Sequence, residues 1–156
     1  MIAESALDFR EHFPDGGALL GLDLGTKTVG VATCDASWSF ATAGKTIAKG
    51  KFSKDVAALK PLIDERRIKG IVLGLPRNMD GTEGPRAQST RAYARNLEQA
   101  LGLPILLWDE RWSTTSAERD MIGQDVSRKK RAERIDSHAA AIILQSAIDT
   151  LAGSSF

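Results

Sequence analysis

Apolar residues follow two rhythms along the chain, and the switch between them sets the class of fold. Ala18 to Leu24 and Val29 to Cys34 are short apolar runs joined through Gly25-Thr26-Lys27-Thr28, which predicts two strands with a tight connection. A shorter third strand is expected near Thr46-Ile47, and three strands in succession favour an antiparallel meander. The period then becomes helical: Val56, Leu59, Leu62 and Ile63 recur between Ser53, read as an N-cap, and a stop at Lys69-Gly70. Ile71 to Leu75 is a continuous apolar run of the kind covered on both faces of a sheet, with Pro76 and the turn Asn78-Met79-Asp80-Gly81 beyond it. Pro85 suits the first turn of a second helix with Tyr93, Leu97, Ala100 and Leu101 inward, which Gly102 ends. Pro104 to Asp109 reads as another buried strand, and Thr115 and Glu118 stand at capping-box spacing to open a further helix. A last helix is expected from Ala132 to Leu151, with Ile135, Ala139, Ile142 and Ile143 inward. Strands in a run, then helix and strand in alternation, describe an α/β chain with a mixed sheet and helices packed on it.

Residues 1–17 show no clear period and finish at Pro14-Asp15-Gly16-Gly17, so they read as an arm ahead of a single domain over 18–156. The length of 156 residues allows one well-buried core and no second ordinary domain. With 21 lysines and arginines against 20 aspartates and glutamates, no global basic field announces a polyanionic partner. Basic residues do cluster at Arg128-Lys129-Lys130-Arg131 and Arg134; a solvated face is the default reading, and a grip on a phosphate backbone the alternative. The single cysteine, Cys34, has no internal partner and lies in an apolar run, as a small buried thiol would. The N-terminus lacks the basic start and apolar centre of a secretion signal, and no apolar run approaches membrane-spanning length. A cytoplasmic protein without a membrane is the expectation.

Three acids stand in places that call for an explanation. Asp23 lies between Leu22 and Leu24 in an inner strand, where a lone carboxylate is costly to desolvate. A salt bridge to Lys27, hydrogen bonds from the following turn, or a divalent cation would each compensate. Glu110 follows a buried strand, at the sheet end where ligands of open sheets gather; it also suits a capping or solvated acid before Ser113-Thr114-Thr115. Asp136 shares a helical stripe with Ala140 and Ile143, although the helix N-terminus or Arg134 could equally hold it. His138, on a different face, reads as polar surface. Three hard oxygen ligands from separate elements match Mg2+ or Mn2+ better than zinc. Such ions can activate water against a phosphodiester and stabilise the departing oxygen. Lys27, Arg77, Arg86 and Arg111 are the candidates to neutralise phosphate. An aspartate followed by a Gly-Thr turn is also similar to the phosphate-binding hairpin of the actin, sugar-kinase and Hsp70 superfamily. That superfamily closes two such domains over ATP, so the kinase reading requires two of these chains to share a site.

Taken together, four stretches resemble the YqgF/RuvX family of pre-16S ribosomal RNA nucleases and Holliday junction resolvase-like proteins. They are Gly21-Leu22-Asp23-Leu24-Gly25-Thr26-Lys27 with Gly30-Val31-Ala32; Val72-Leu73-Gly74-Leu75-Pro76 through Asn78 to Gly84; Asp109-Glu110-Arg111 with Ser113-Thr114; and Ile135-Asp136-Ser137 with Ala139-Ala140. The resemblance, over about Leu19 to Leu151, implies a ribonuclease H-like fold: a five-stranded mixed sheet, three antiparallel strands then parallel ones, with helices on both faces and the first strand central. It implies Asp23, Glu110 and Asp136 as catalytic, metal-holding acids, and a cleft bordered by Gly74-Leu75-Pro76 and the loop from Asn78 to Gly84. Thr28, Arg77 and Trp112 depart from the residues common in the family, which bears on phosphate contacts and not on the acids. Precursor ribosomal RNA is the implied partner, with branched DNA as the enzymatic alternative and a non-cleaving RNA-binding module as the other class. A monomer or weak homodimer is expected.

Overall fold

Alternation along the longest strands decides where everything else packs. A computed structural model describes residues 1–113 and 128–153, with side chains described over 1–112 and 138–153. In β2 (Leu19–Leu24) and β3 (Thr28–Cys34), paired antiparallel through Leu22 opposite Val31, successive side chains point to opposite faces. Leu20, Leu22 and Leu24 thus join one core with Leu59, Tyr93 and Leu97, under α2 (Phe52–Arg66) and α3 (Pro85–Leu101). Leu19 joins the other core with Ala140, Leu144, Ala147 and Leu151 of α4 (Arg128–Gly153). β6 (Gly70–Leu75) and β7 (Ile105–Asp109) extend the sheet in parallel with β2, both buried along their whole length, as the continuous apolar runs require.

The strand order is β1-β7-β6-β2-β3-β4, with β5 (Ile47–Ala48) pairing β3 beside β4 (Ala41–Ala43). β2 is therefore interior, parallel to β6 on one side and antiparallel to β3 on the other. The sheet is mixed with helices on both faces, as the pattern predicts, but among the described residues it has seven strands where five were expected. One addition comes from splitting the third antiparallel strand into β4 and β5, with Gly44 between them donating to the Val31 carbonyl at 2.6 Å. The other is β1 (Ile2–Ala3), parallel to β7, which corrects the reading of residues 1–17 as an arm. Ser5 caps the short helix α1 (Ala6–Arg10), and Phe9 and Phe13 are buried in the α4-side core, their ring centroids 4.8 Å apart. The helix in this segment is only five residues long, too short for a sustained period, and the surface it covers is remote in sequence.

Two helix boundaries also differ from the pattern. α2 opens one residue before Ser53; the buried Asp55 instead receives the Gly50 amide at 3.1 Å and the Tyr93 hydroxyl at 2.9 Å. Its stop is Arg67, in the left-handed region at φ 52°, ahead of Lys69-Gly70. Gly102 ends α3 as expected, at φ 68°, whereas Ala100 faces solvent. On α4 the buried stripe is Ala140, Ile143, Leu144, Ala147, Ile148 and Leu151, with Ala139 and Ile142 on its margin. The helix expected from Thr115 lies outside the described residues, as do the side chains of Ile135 and of the basic cluster at 128–134. Among the described residues no helix is long and apolar enough to cross a membrane.

Cys34 is buried as expected, and desolvation pushes its thiol up to about 11. At pH 8 the reactive thiolate should be about two orders of magnitude scarcer than in an ordinary thiol. Alkylation of the folded protein, timed by mass, should lag that of the denatured chain by at least ~10²-fold; equal rates would contradict the burial.

Candidate active site

The parallel strands β2, β6 and β7 all end at one edge of the sheet, and the expected site residues gather there. Asp23 is half-buried on the α4 face of β2, two residues beyond Gly21. Gly21 is where that helix comes closest: a Cβ there would lie 2.8 Å from Leu144 Cβ and 3.2 Å from the Ala140 carbonyl oxygen. The parallel register, with Leu22 opposite Leu73, carries Asp23 alongside Gly74 of β6. Gly74 in turn pairs with Trp108 of β7. Over this glycine lies the side chain of Glu110: a Cβ on Gly74 would stand 2.9 Å from Glu110 Oε1 and 3.1 Å from its Cγ. Asp23 and Glu110, 87 residues apart in the chain, thus stand on one face at the same end of the sheet, Glu110 over Gly74 and Asp23 on the strand beside it.

Asp109 goes the other way, because Leu75 is its register partner and the pleat turns both toward α2 and α3. Its carboxylate, only 3% exposed, accepts Arg111 Nη2 at 2.7 Å and lies 3.5 Å from Arg77 Nη1. The Arg111 hydrogen bonds, foremost, hold its pKa below the usual carboxylate range. Arg77 also stands 3.4 Å from Glu83 and 3.5 Å from Glu4, and its Nε is buried without a hydrogen-bond partner. Arg91 binds Glu83 and Glu4 at 2.7 Å, which lowers both carboxylates and joins the loop after β6 to the N-terminal segment. Arg86 donates to the Leu24 carbonyl at 3.2 Å, beside the end of β2. Lys27 is exposed in the β2–β3 turn, and His138 is exposed on α4.

Asp23 and Glu110 are hard oxygen donors on one face at one end of the sheet, and the lack of a side chain on Gly74 is what lets Glu110 and Ile143 lie so close to the strand. Such donors fit Mg2+ or Mn2+, which favour carboxylate oxygen. Among the described residues no group of three histidines, cysteines or acids could hold an ion. The third expected acid, Asp136, sits on α4 with its side chain outside the described residues. The family resemblance put Gly74 only at the border of the cleft, and sequence reasoning gave Asp109 no separate role. A glycine inside an otherwise apolar strand was the available signal for the first, as a place of close approach.

A family model described as RuvX, Holliday junction resolvase, matches residues 17–150. A protein of Novosphingobium aromaticivorans with the provisional name pre-16S rRNA nuclease is 65% identical over 156 residues, covering 100% of both chains. One of the same name from Sphingopyxis alaskensis is 62% identical over 151 residues, covering 97% of this chain and 99% of its own. Among solved structures, T. thermophilus RuvC in complex with Holliday junction substrate is 12% identical with a TM-score of 0.57, covering 88% of this chain and 97% of that chain. This last likeness is one of fold, a ribonuclease H-like sheet.

Proposed function

The chain belongs to the RuvX family, and from that premise we propose that it is a metal-dependent nuclease acting on precursor 16S ribosomal RNA. The observation that supports this reading is the placement of Glu110 over Gly74, with Asp23 on the strand beside it and on the same face, at the C-terminal ends of the central strands. Asp136 completes the donor set: it lies one helical turn before Ala140, whose carbonyl stands over Gly21, and Asp23 is the next residue on that face of β2. Bound there, a divalent cation supplies activation of water and stabilisation of the departing oxygen. Asp23 and Glu110 hold it and fix where it sits; no side chain is needed as a nucleophile. Lys27 and Arg86 flank the end of β2 and bind phosphate, and Arg77, shared among three carboxylates at 3.4 to 3.5 Å, can turn to one as well.

RNA is preferred to branched DNA because relatives at 62% and 65% identity over nearly the whole chain carry the ribosomal RNA name. Cleavage of a four-way junction is the second reading, favoured by the family's description. Such a pair of acids is not needed by a module that only binds RNA. The kinase reading falls with the family assignment. A chain acting on precursor ribosomal RNA works in the cytoplasm. Purified protein should be given a precursor 16S RNA end and a four-way DNA junction side by side, with Mn2+, Mg2+ or chelator. RNA cleavage that chelator abolishes is expected. Cutting of the junction alone would favour the second reading, and cutting that persists in chelator would remove the cation.

A further inference from the structure

Arg111, expected at a phosphate, has its guanidinium bound to protein groups at the rim of the cleft. Asp109 Oδ1 accepts the Arg111 amide at 2.9 Å, closing the turn that opens the short 3-10 helix Glu110–Ser113. The same carboxylate takes Arg111 Nε at 3.1 Å on both oxygens and Nη2 at 2.7 Å. The other edge of the guanidinium reaches the loop after β6: Nη1 stands 3.5 Å from the Met79 carbonyl oxygen. Gly81, at φ +88°, lies against it, since a Cβ there would meet Nη1 at 3.5 Å. One planar group therefore joins the end of β7 to that loop, and Glu110 is the residue held between the two members of the pair.

We propose that Arg111 and Asp109 form a clamp that positions Glu110 over Gly74 and fixes the Met79–Gly81 loop at the rim of the cleft. Arg111 acts through Asp109 and does not touch the substrate. This rests on the nuclease reading, in that the acid being positioned is one assigned to the cation. Asp109 ends β7, where the pleat points it toward α2 and α3, and Glu110 opens the 3-10 turn that follows; three bonds from the Arg111 side chain plus one from its backbone amide fix that turn. A lysine carries the charge but not the fork, so it cannot bind the carboxylate through Nε and Nη2 while also facing the loop.

Arg111→Lys and Arg111→Gln test this beside Asp23→Asn. Both Arg111 variants should lose about 10- to 100-fold in kcat, lysine rescuing nothing, as for residues that orient a metal ligand. KM should stay within about twofold, the mark of a group that makes no binding contact with substrate. Mn2+ affinity of the protein alone should fall in parallel. A readout independent of cleavage comes from NMR of the indoles. Trp112 sits on the same turn, its ring centroid 5.1 Å from that of Trp108, so its resonance should shift or broaden in both variants. Trp38, which donates to the Gly17 carbonyl at 2.9 Å beside the start of β2, should be unmoved. A raised KM with kcat kept and lysine restoring it would place Arg111 on the phosphate, and an unmoved Trp112 resonance would remove the clamp. If wild type cuts nothing and Asp23→Asn changes nothing, the nuclease reading fails, while the Trp112 signal still decides the clamp.

Discussion

Replacing Asp23 with asparagine is expected to reduce metal-dependent cleavage by at least ~10²-fold while leaving the protein folded. The amide keeps the shape of the carboxylate but not its charge, and residues one step removed from a metal already cost about 10- to 100-fold when changed. A direct donor should cost more. Stability should move little or rise, because Asp23 shares its face of the sheet with Glu110 and two like charges at close range disfavour each other. Single-turnover cleavage at saturating Mn2+, a Mn2+ titration and a thermal melt on the same preparations check the three parts. An active Asp23→Asn enzyme, or an inactive one that has simply unfolded, would each defeat the assignment in a recognisable way.

The second large effect is expected from a single methyl group. In Gly74→Ala the new Cβ would stand 2.8 Å from Ile143 Cδ1 and 2.9 Å from Glu110 Oε1, closer than carbon tolerates. Ile143 can rotate its terminal methyl away, but Glu110 has its Cγ 3.1 Å off as well and must leave its place. Overpacking of this kind costs about 1 to 3 kcal/mol of stability. A displacement of about 1 Å in a catalytic group costs roughly 10²-fold in rate. Gly70→Ala is the control. It lies on the same strand and face, where a Cβ would meet Phe13 Cζ at 2.7 Å and Phe9 Cζ at 3.0 Å, far from the acids. It should lower the melting temperature and leave kcat of the folded protein unchanged. If both alanines depress kcat alike, Gly74 matters only for packing.

Elements governed by short-range period were legible in the chain. β2 and β3 begin and end within a residue of the apolar runs that predict them, and Gly102 ends α3 because only a left-handed residue closes that turn without strain. The N-terminal segment was not legible. Phe9 and Phe13 stand at helical spacing, but the helix they mark is only Ala6–Arg10, and what they bury against, Gly70 and Leu19, lies far along the chain. Asp55 was equally hidden, since its partner Tyr93 is 38 residues away on another helix. The expectation that Arg111 faces phosphate counted its charge; that Asp109 turns toward Arg111 depends on the register of β7 on β6, which the sequence does not carry.

The sequence by itself determined the kinds of group available: an aspartate in an inner strand, an Asp-Glu pair after a buried one, a glycine where a side chain would otherwise stand. Tertiary structure alone decided which acid of the pair serves the site. Side chains on a strand alternate, so the register of β7 on β6, with Trp108 beside Gly74 and Asp109 beside Leu75, sends Asp109 toward the arginines and leaves Glu110 over the glycine. A period of two is written in the chain, but the partner strand that gives it a direction is supplied only when the sheet forms.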